Sequence, residues 1–560
     1  TTEKVIMFKS NTNPIFRTKL AEDIFNYKYR HTGAETWEQL ADTLVEHVVQ
    51  DKAPKDVKQQ IAKYIKEHKF LPGGRYIYYA GRLKPFFNNC YLLKAEEDTR
   101  EDWADLAWKA ESCLLTGGGI GVDYSVYRPA GSVIRRTGGS ASGPIPKMGG
   151  INNQGRYIMQ GGSRRSAIYA SLNHSHSDVV DFLSVKDWDN QPAGTSGLTN
   201  GDLKRQDFNF PAPLDMTNVS VNYDTKWLLN YYKTGEVGEV FLKNVEMALR
   251  NGEPGFSFNF FEKENETLRN ACTEVTSSDD SDVCNLGSVN LSRISSITEL
   301  ASVVELGTLF LLCGTLVAEL PYEKITKVRE KNRRLGLGLM GLHEWLIQRS
   351  YKYEINPELH QWLSVYKGVS DEASKRYSSI LSVSTPVANR AIAPTGTIGI
   401  LAGTTTGIEP IYAVAYKRRY LTDGTRWKYQ YHVDDVAKNM IEIYGVKPDD
   451  IETAADLAAD PERRIKFQAD VQDYVDMGIS STINIPAFGS GPDVRGFAGL
   501  LAKYASRLRG FTCYPDGSRG GQPLTKVDYY EVKDKLGNEF DESVEHNAIC
   551  DITGGGHCGV

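Results

Sequence analysis

The stretch TLRNACTEVTSSDDSDVCNLGSVNL runs from Thr267 to Leu291 and holds two of the eight cysteines of a 560-residue chain. Cys272 is framed as Asn270-Ala271-Cys272-Thr273-Glu274, and Cys284 opens an apolar run containing Asn285 and Asn290. A zinc site prefers closer thiol pairs or nearby histidines. A structural disulfide suits a small secreted domain better than a chain of this length. In an extended strand or loop, positions two apart point to one side, so Asn270, Cys272 and Glu274 are expected to project together. A nucleophilic thiolate needs a histidine or cationic neighbour to lower its pKa, and a carboxylate does the opposite. The triplet therefore suits one-electron, hydrogen-atom chemistry better than ionic catalysis.

The composition is that of an ordinary globular protein, 41% hydrophobic and 24% charged with a net charge of −6. That is ample material for a large core. The mild acidity and the lack of any basic block argue against a nucleic-acid partner. The N-terminal TTEKVIMFKS has no apolar signal-peptide core. The most apolar run, LGTLFLLCGTLVA (306–318), lies between Glu305 and Glu319. It is shorter than a bilayer span of ~20 residues, so it predicts a buried core helix and no membrane segment. Without a secretory signal the cysteines point to a reducing cytoplasm, where paired thiols are more often catalytic or metal-binding than structural.

Residues 17–70 read as helical, from the three- and four-residue apolar spacing of AETWEQLADTLVEHVV and KDVKQQIAKYIKEH. FLPGGRYIYYAG (70–81) breaks that pattern before an expected β-rich run. To about 520, short apolar runs such as GGIGVDYSVY and NVSVNYD alternate with helical ones, as in an α/β architecture. The end of the chain turns charged and polar and reads as a mobile tail.

Four glycine-rich runs, TGGGIGVD (116–123), GGSASGP (138–144), MQGGSRRSA (159–167) and APTGTIGILAG (393–403), suit close backbone approach to a phosphate. None matches the dinucleotide fingerprint or the P-loop. Singly each reads as a tight turn; four together point to a phosphorylated substrate. Cys313 and Cys113 read as small core hydrophobes, and Cys90 alone would read the same way. Cys550 and Cys558 have no packing role in a polar tail. Zinc with His546 or His557 is one reading of them and a redox pair is the preferred one.

The N-x-C-x-E frame followed by CNLGSVNL resembles the active-site finger loop of the ribonucleotide reductases. The resemblance extends over roughly 20–525 in the family's order: NNCYLL, TGGGIGVDYS, GGSASGP, QGGSRRSA, NGEPGF, NRRLGLGLMGL, APTGTIGILAGTTTGIEP and GFTCYPDGSRGG. It implies a ten-stranded α/β barrel (76–525) around a central finger loop near 267–291. Effector-binding loops are expected near 122–167, an N-terminal helical region over 1–75 and a redox-active tail over 526–560.

By the same resemblance, Cys272 is the thiyl-radical cysteine, Glu274 the general base on the ribose 3′-hydroxyl, and Asn270 a hydrogen-bonding partner of the substrate. Cys90 and Cys284 are implied to meet on neighbouring strands and end as a disulfide. Pro394, Thr395, Gly396 and Thr397 are implied to cradle substrate phosphates. Gly162, Ser163, Arg164, Arg165 and Ser166 are implied to lie between a deoxynucleoside triphosphate effector and the substrate base. Cys550 and Cys558 would pass electrons from a thioredoxin-like reductant, although their spacing is wider than the family's usual tail pair.

Three reductase lineages differ in radical source. TGGGHCGV lacks the arginine and tyrosine that flank a glycyl-radical glycine. FTCYPDGSR has Cys513-Tyr514 where the two-subunit type has an adjacent tyrosine pair. The adenosylcobalamin-dependent type needs no relay and fits best. The short 122–137 spacing resembles its dimeric form, and the segment before FLPGGR is too short for an ATP-cone domain. The alternatives are the large subunit of an enzyme with a metal-bearing partner and, more distantly, a non-catalytic nucleotide- or zinc-binding protein.

Overall fold

The computed structural model describes residues 15–158, 166–207, 209–422, 426–516 and 524–541. Five parallel strands run side by side: Cys90–Lys94, Gly119–Asp123, Ile168–Asn173, Thr217–Tyr223 and Gly255–Phe258. The crossovers include the helices Arg100–Leu115 and Pro144–Tyr157, the covering layer that parallel sheets require. At one edge Asp282–Val283 pairs antiparallel with the first strand; at the other, Gly510–Pro515 pairs antiparallel with Gly255–Phe258. Thr482–Ile485 lies parallel to Gly510–Pro515 and completes an eight-stranded sheet among the described residues.

The chain leaves Val283 and runs on as Asn285–Asn290, between antiparallel Phe70–Pro72 and parallel Leu335–Met340. Two parallel bridges, Leu337 to Arg390 and Ile392 to Ile479, continue in the direction of Thr482–Ile485. The mixed α/β architecture is thus as expected.

The inner strands alternate glycine with large aliphatic residues. In Leu335–Met340, Leu335, Leu337 and Leu339 face a core shared with helix Ile297–Val317, while Gly336 and Gly338 face inward. In Gly119–Asp123, Ile120 and Val122 face the helical layer, and Gly119 and Gly121 the interior. Period-two side-chain direction turns that alternation into one greasy face and one bare face.

Several expectations shift in detail. The apolar run at 306–318 is the second half of a longer helix, Ile297–Val317, capped where Ser296 accepts from the Glu299 amide at 3.2 Å. By length and composition it could cross a membrane, but most of it is buried in the core. RYIYY is a helix, Gly74–Tyr79, rather than a strand. Tyr76, Ile77 and Ala80 are buried at helical spacing, with Tyr76 stacked on Phe87 at 4.5 Å. The first part of the expected tail is ordered. Leu524–Lys526 and Glu539–Asp541 flank the hairpin Ala415–Thr422/Arg426–Val433, and Val532 packs with Ala415 and Val433. The helices Trp37–Val49 and Lys55–Lys66 share the core of Ile297–Val317, fastened by Trp37 Nε1 donating to the Lys66 carbonyl.

Leu337 is fully buried, so Leu337→Ala should cost about 2–5 kcal/mol in chemical denaturation. A loss below about 1 kcal/mol would show that this face is not close-packed.

Candidate active site

Leu268–Arg269 and Thr276–Ser277 pair as the two legs of a short loop whose tip is Asn270–Val275. The tip is a closed turn, the loop alternative of the sequence reading rather than an extended strand. The Thr273 amide donates to the Asn270 carbonyl at 2.9 Å, the Val275 amide donates to Asn270 Oδ1 at 3.0 Å, and Thr273 has φ of 71°. Side-chain hydrogen bonds clamp the return leg. Thr276 Oγ1 donates to Glu266 at 2.9 Å, and Ser277 Oγ donates to Asp282 at 2.6 Å. Asp282 also accepts from Arg334 Nε at 2.8 Å.

Glycine makes the room for this loop. A Cβ on Gly121 would collide with the Arg269 carbonyl, and one on Gly478 would lie 2.6 Å from the Thr273 carbonyl. Asn218 Nδ2 donates to the Ala271 carbonyl at 3.3 Å, and the Gly478 amide donates to the Glu274 carbonyl at 2.7 Å. Sequence reading quoted the segments holding Gly121 and Asn218 without assigning either residue a role. Gly478, in DMG, carried no signal.

Asn270 and Glu274 are buried and Cys272 is half-buried. Asn270 Nδ2 and Glu274 Oε2 are buried atoms with no hydrogen-bond partner in the protein. Burial pushes the Glu274 carboxyl up to about 7, against a smaller downward pull from its own backbone amide and the Asn270 side chain.

Tyr91 pairs with Val283 and Leu92 with Asp282, so the strand that begins at Cys90 runs antiparallel to the segment that leads into Cys284. A Cβ on Gly119 would lie 3.2 Å from Cys90 Sγ, and one on Gly336 2.9 Å from Cys284 Sγ, so both thiols occupy the space over inward-facing glycines. Burial holds the Cys284 thiol well above its usual range. Asn88 Nδ2 donates to the Cys284 carbonyl at 2.9 Å and to Asn285 Oδ1 at 2.6 Å, tying the two strands together. Leu92, Leu268, Val275, Cys284, Leu286, Ala391 and Met477 form one apolar cluster around these groups.

Pro394 follows the Ala391–Ile392 segment, and Thr395, at φ 52°, caps the helix Gly396–Ala402. Thr395 Oγ1 accepts from the Gly407 amide at 2.8 Å, and the space beside Gly396 is open. Cys513 turns away from the interior, donating from Sγ to the Ala248 carbonyl at 3.4 Å. Tyr514 therefore has no adjacent phenol on its own strand. Tyr412, from another segment, has its pKa raised to about 12 by burial, with Asp516 and Tyr514 adding to the effect. Ser166 is buried and donates to the Ile158 carbonyl at 3.2 Å. Gly162, Ser163, Arg164, Arg165, Cys550 and Cys558 lie outside the described residues.

A strand framework, a loop inside it that carries Cys272, and the two thiols of Cys90 and Cys284 against inward glycines match what one family is known by in sequence. The chain belongs to the ribonucleotide reductase barrel-domain family, which it matches over residues 88–210, 216–366 and 388–504. It is similar to a vitamin B12-dependent ribonucleoside-diphosphate reductase of Mycobacterium tuberculosis (strain CDC 1551 / Oshkosh). The identity is 28% over 532 residues, covering 84% of this chain and 73% of the relative. A putative adenosylcobalamin-dependent ribonucleoside-triphosphate reductase of Mycobacterium phage D29 is 26% identical, covering 77% of this chain and 71% of the relative. In fold, the chain is similar to the Actinobacillus ureae class Id ribonucleotide reductase alpha subunit. That likeness has a TM-score of 0.68 at 16% identity, over 90% of this chain and 98% of the other.

The raised Glu274 pKa has a sign that can be tested. The folded chain holds this proton more tightly than the unfolded one. The resulting stability is full below the ordinary carboxylate range and is lost as pH rises through about 7. Between pH 5 and 8 the parent should lose about 2–3 kcal/mol relative to Glu274→Gln in guanidinium unfolding. Parallel pH profiles for the two proteins would contradict the assignment.

Proposed function

We propose that this chain is an adenosylcobalamin-dependent ribonucleotide reductase, converting ribonucleoside di- or triphosphates to 2′-deoxyribonucleotides by thiyl-radical chemistry. One observation carries the reading: Cys272 sits on a loop inside the strand framework, beside the partnerless polar atoms of Asn270 and Glu274, while Cys90 and Cys284 adjoin the paired residues Tyr91 and Val283. The names of the two similar reductases support the choice of cofactor. A ten-stranded barrel is supported by two antiparallel seams and by the bridges that link Leu335–Met340 through 390–392 to 479–485. On this reading residues 76–525 form the catalytic unit, 1–75 an N-terminal helical region, and 526–560 the tail.

Adenosylcobalamin, when bound, supplies a radical by homolysis of its cobalt–carbon bond. The fit lies in the tip: Cys272 and Thr273 are partly exposed while Asn270, Ala271, Glu274 and Val275 are buried, so these two would meet the cofactor. Cys272, as the thiyl radical, takes the 3′-hydrogen of the ribose and returns it to C3′ once the 2′-position is reduced, so that it is a thiyl radical again. Glu274, about half ionised near neutral pH, takes the proton of the 3′-hydroxyl. Asn270 Nδ2 donates to the substrate's hydroxyls. The 2′-hydroxyl leaves as water while Cys90 and Cys284 give up two electrons and two protons and join as a disulfide. Pro394–Thr397 cradles the phosphates with backbone N–H groups and the hydroxyls of Thr395 and Thr397.

Cys550 and Cys558 then re-reduce the disulfide, with a thioredoxin-like donor. Gly162–Ser166 relays a deoxynucleoside triphosphate effector to the substrate base. A homodimer is supported by exposed Trp108, Leu115 and Tyr157 on the helices Arg100–Leu115 and Pro144–Tyr157. The class I alternative draws on the proximity of Tyr412 and Tyr514, which is a two-phenol arrangement from separate segments.

The purified chain should reduce ribonucleotides with adenosylcobalamin and a dithiol, without a second subunit. Tyr514→Phe should leave that rate nearly unaltered. Loss of activity in Tyr514→Phe, or rescue only by a metal-bearing partner, would favour the class I reading. Cys272→Ser should abolish reduction and keep nucleotide binding, measured by equilibrium dialysis. Residual turnover above background would displace the radical site from Cys272.

A further inference from the structure

Gly478 stands between two parts of the site that no continuous element connects. Its amide donates to the Glu274 carbonyl at 2.7 Å, and its carbonyl accepts from the Ile392 amide at 3.1 Å. Ile392 in turn accepts from the Ser480 amide at 2.8 Å, and Pro394 is two residues further along. One peptide unit on either side of Gly478 thus separates the loop carrying Cys272 from the turn at Pro394–Thr397.

The link is rigid on both sides. A Cβ on Gly478 would lie 2.6 Å from the Thr273 carbonyl and 3.2 Å from Glu274 Cα, and backbone atoms have no rotamer by which to move away. Across Ile392, a Cβ on Gly338 would lie 2.5 Å from the Ala391 carbonyl. Ala391–Ile392 is therefore held between two glycines, and Met477 packs against Val275 and Ala391 in one apolar cluster. Close-packed contacts of this kind transmit small displacements, because they have no free volume in which to absorb them.

We infer that Gly478 is a positioning residue that ties the placement of Cys272 and Glu274 to occupancy of the Pro394–Thr397 turn. A nucleotide whose phosphates order that turn fixes Ile392, and through Gly478 fixes the loop. The thiol is then held firmly when substrate is present and less so without it. Reaction rates are steep in such placement, since a displacement of about 1 Å can cost about a hundredfold. This inference rests on reading Pro394–Thr397 as the phosphate turn.

Hydrogen–deuterium exchange on the full chain, with cytidine diphosphate or adenosine triphosphate as probe, tests it without requiring turnover. In the parent, nucleotide should slow exchange in peptides covering 268–277 and 394–402 and at the Gly478 amide. In Gly478→Ala, protection should persist at 394–402 and be lost at 268–277. Asn218→Ala removes the hydrogen bond to the Ala271 carbonyl without touching Ile392, so its loop should still respond to nucleotide. The inference is overturned if the loop responds in Gly478→Ala as in the parent, or if both variants lose the response alike. Absence of protection at 394–402 in the parent would instead remove the phosphate-turn reading, and this inference with it. Should Gly478→Ala fail to fold by circular dichroism, the parent's Gly478 amide decides alone: indifference to nucleotide overturns the link.

Discussion

A polypeptide can pass through the interior of a strand framework only where the backbone it approaches most closely carries no side chain in its path. Gly121 on one side and Gly478 on the other meet that requirement, and each would drive a Cβ into the backbone of the 268–277 loop. Gly119 and Gly336 leave space in the same way for the sulfurs of Cys90 and Cys284. The glycines weaken their strands entropically. That cost is offset on the opposite faces, where Ile120, Val122, Leu335, Leu337 and Leu339 bury apolar surface against helices.

The inserted loop brings polar groups into low-dielectric surroundings, and backbone geometry holds them there. Asn270 is occupied through Oδ1 by the Val275 amide, which leaves Nδ2 uncommitted. Glu274 is fixed through its own carbonyl by Gly478, so its carboxylate is positioned without being neutralised by a cation. Fixed backbone with uncommitted side-chain polarity is what a site needs to meet a substrate's hydroxyls without prior rearrangement. The charged residues at the loop's base, Glu266, Asp282 and Arg334, are by contrast spent on holding its legs.

Much of this was legible because the chemistry-bearing residues are dense in sequence. Asn270, Cys272, Glu274 and Cys284 fall within one short stretch, and APTGT advertises a turn into a helix. Local reasoning failed where tertiary packing outweighed local preference. RYIYY is rich in β-formers, yet burial of Ile77 and of Tyr76 against Phe87 and Phe310 makes it a helix. Asn270–Glu274 read as an extended strand or a loop, and the Asn270 side chain closes it into a turn around Thr273. The 306–318 run marked only the fully apolar half of a helix whose start is set by the Ser296 cap.

The sequence by itself determined the order of segments, the glycine–aliphatic alternation that separates a bare face from a greasy one, and the residue types the chemistry needs. Only the tertiary structure decided that Tyr91 and Leu92 pair with Val283 and Asp282, because that register joins strands almost two hundred positions apart. Only the tertiary structure raised the Glu274 pKa, because desolvation depends on what surrounds a group and not on its neighbours in the chain. It alone brought Gly478 to the loop tip, since a glycine's value lies in what approaches it, and here that is backbone from some two hundred residues earlier.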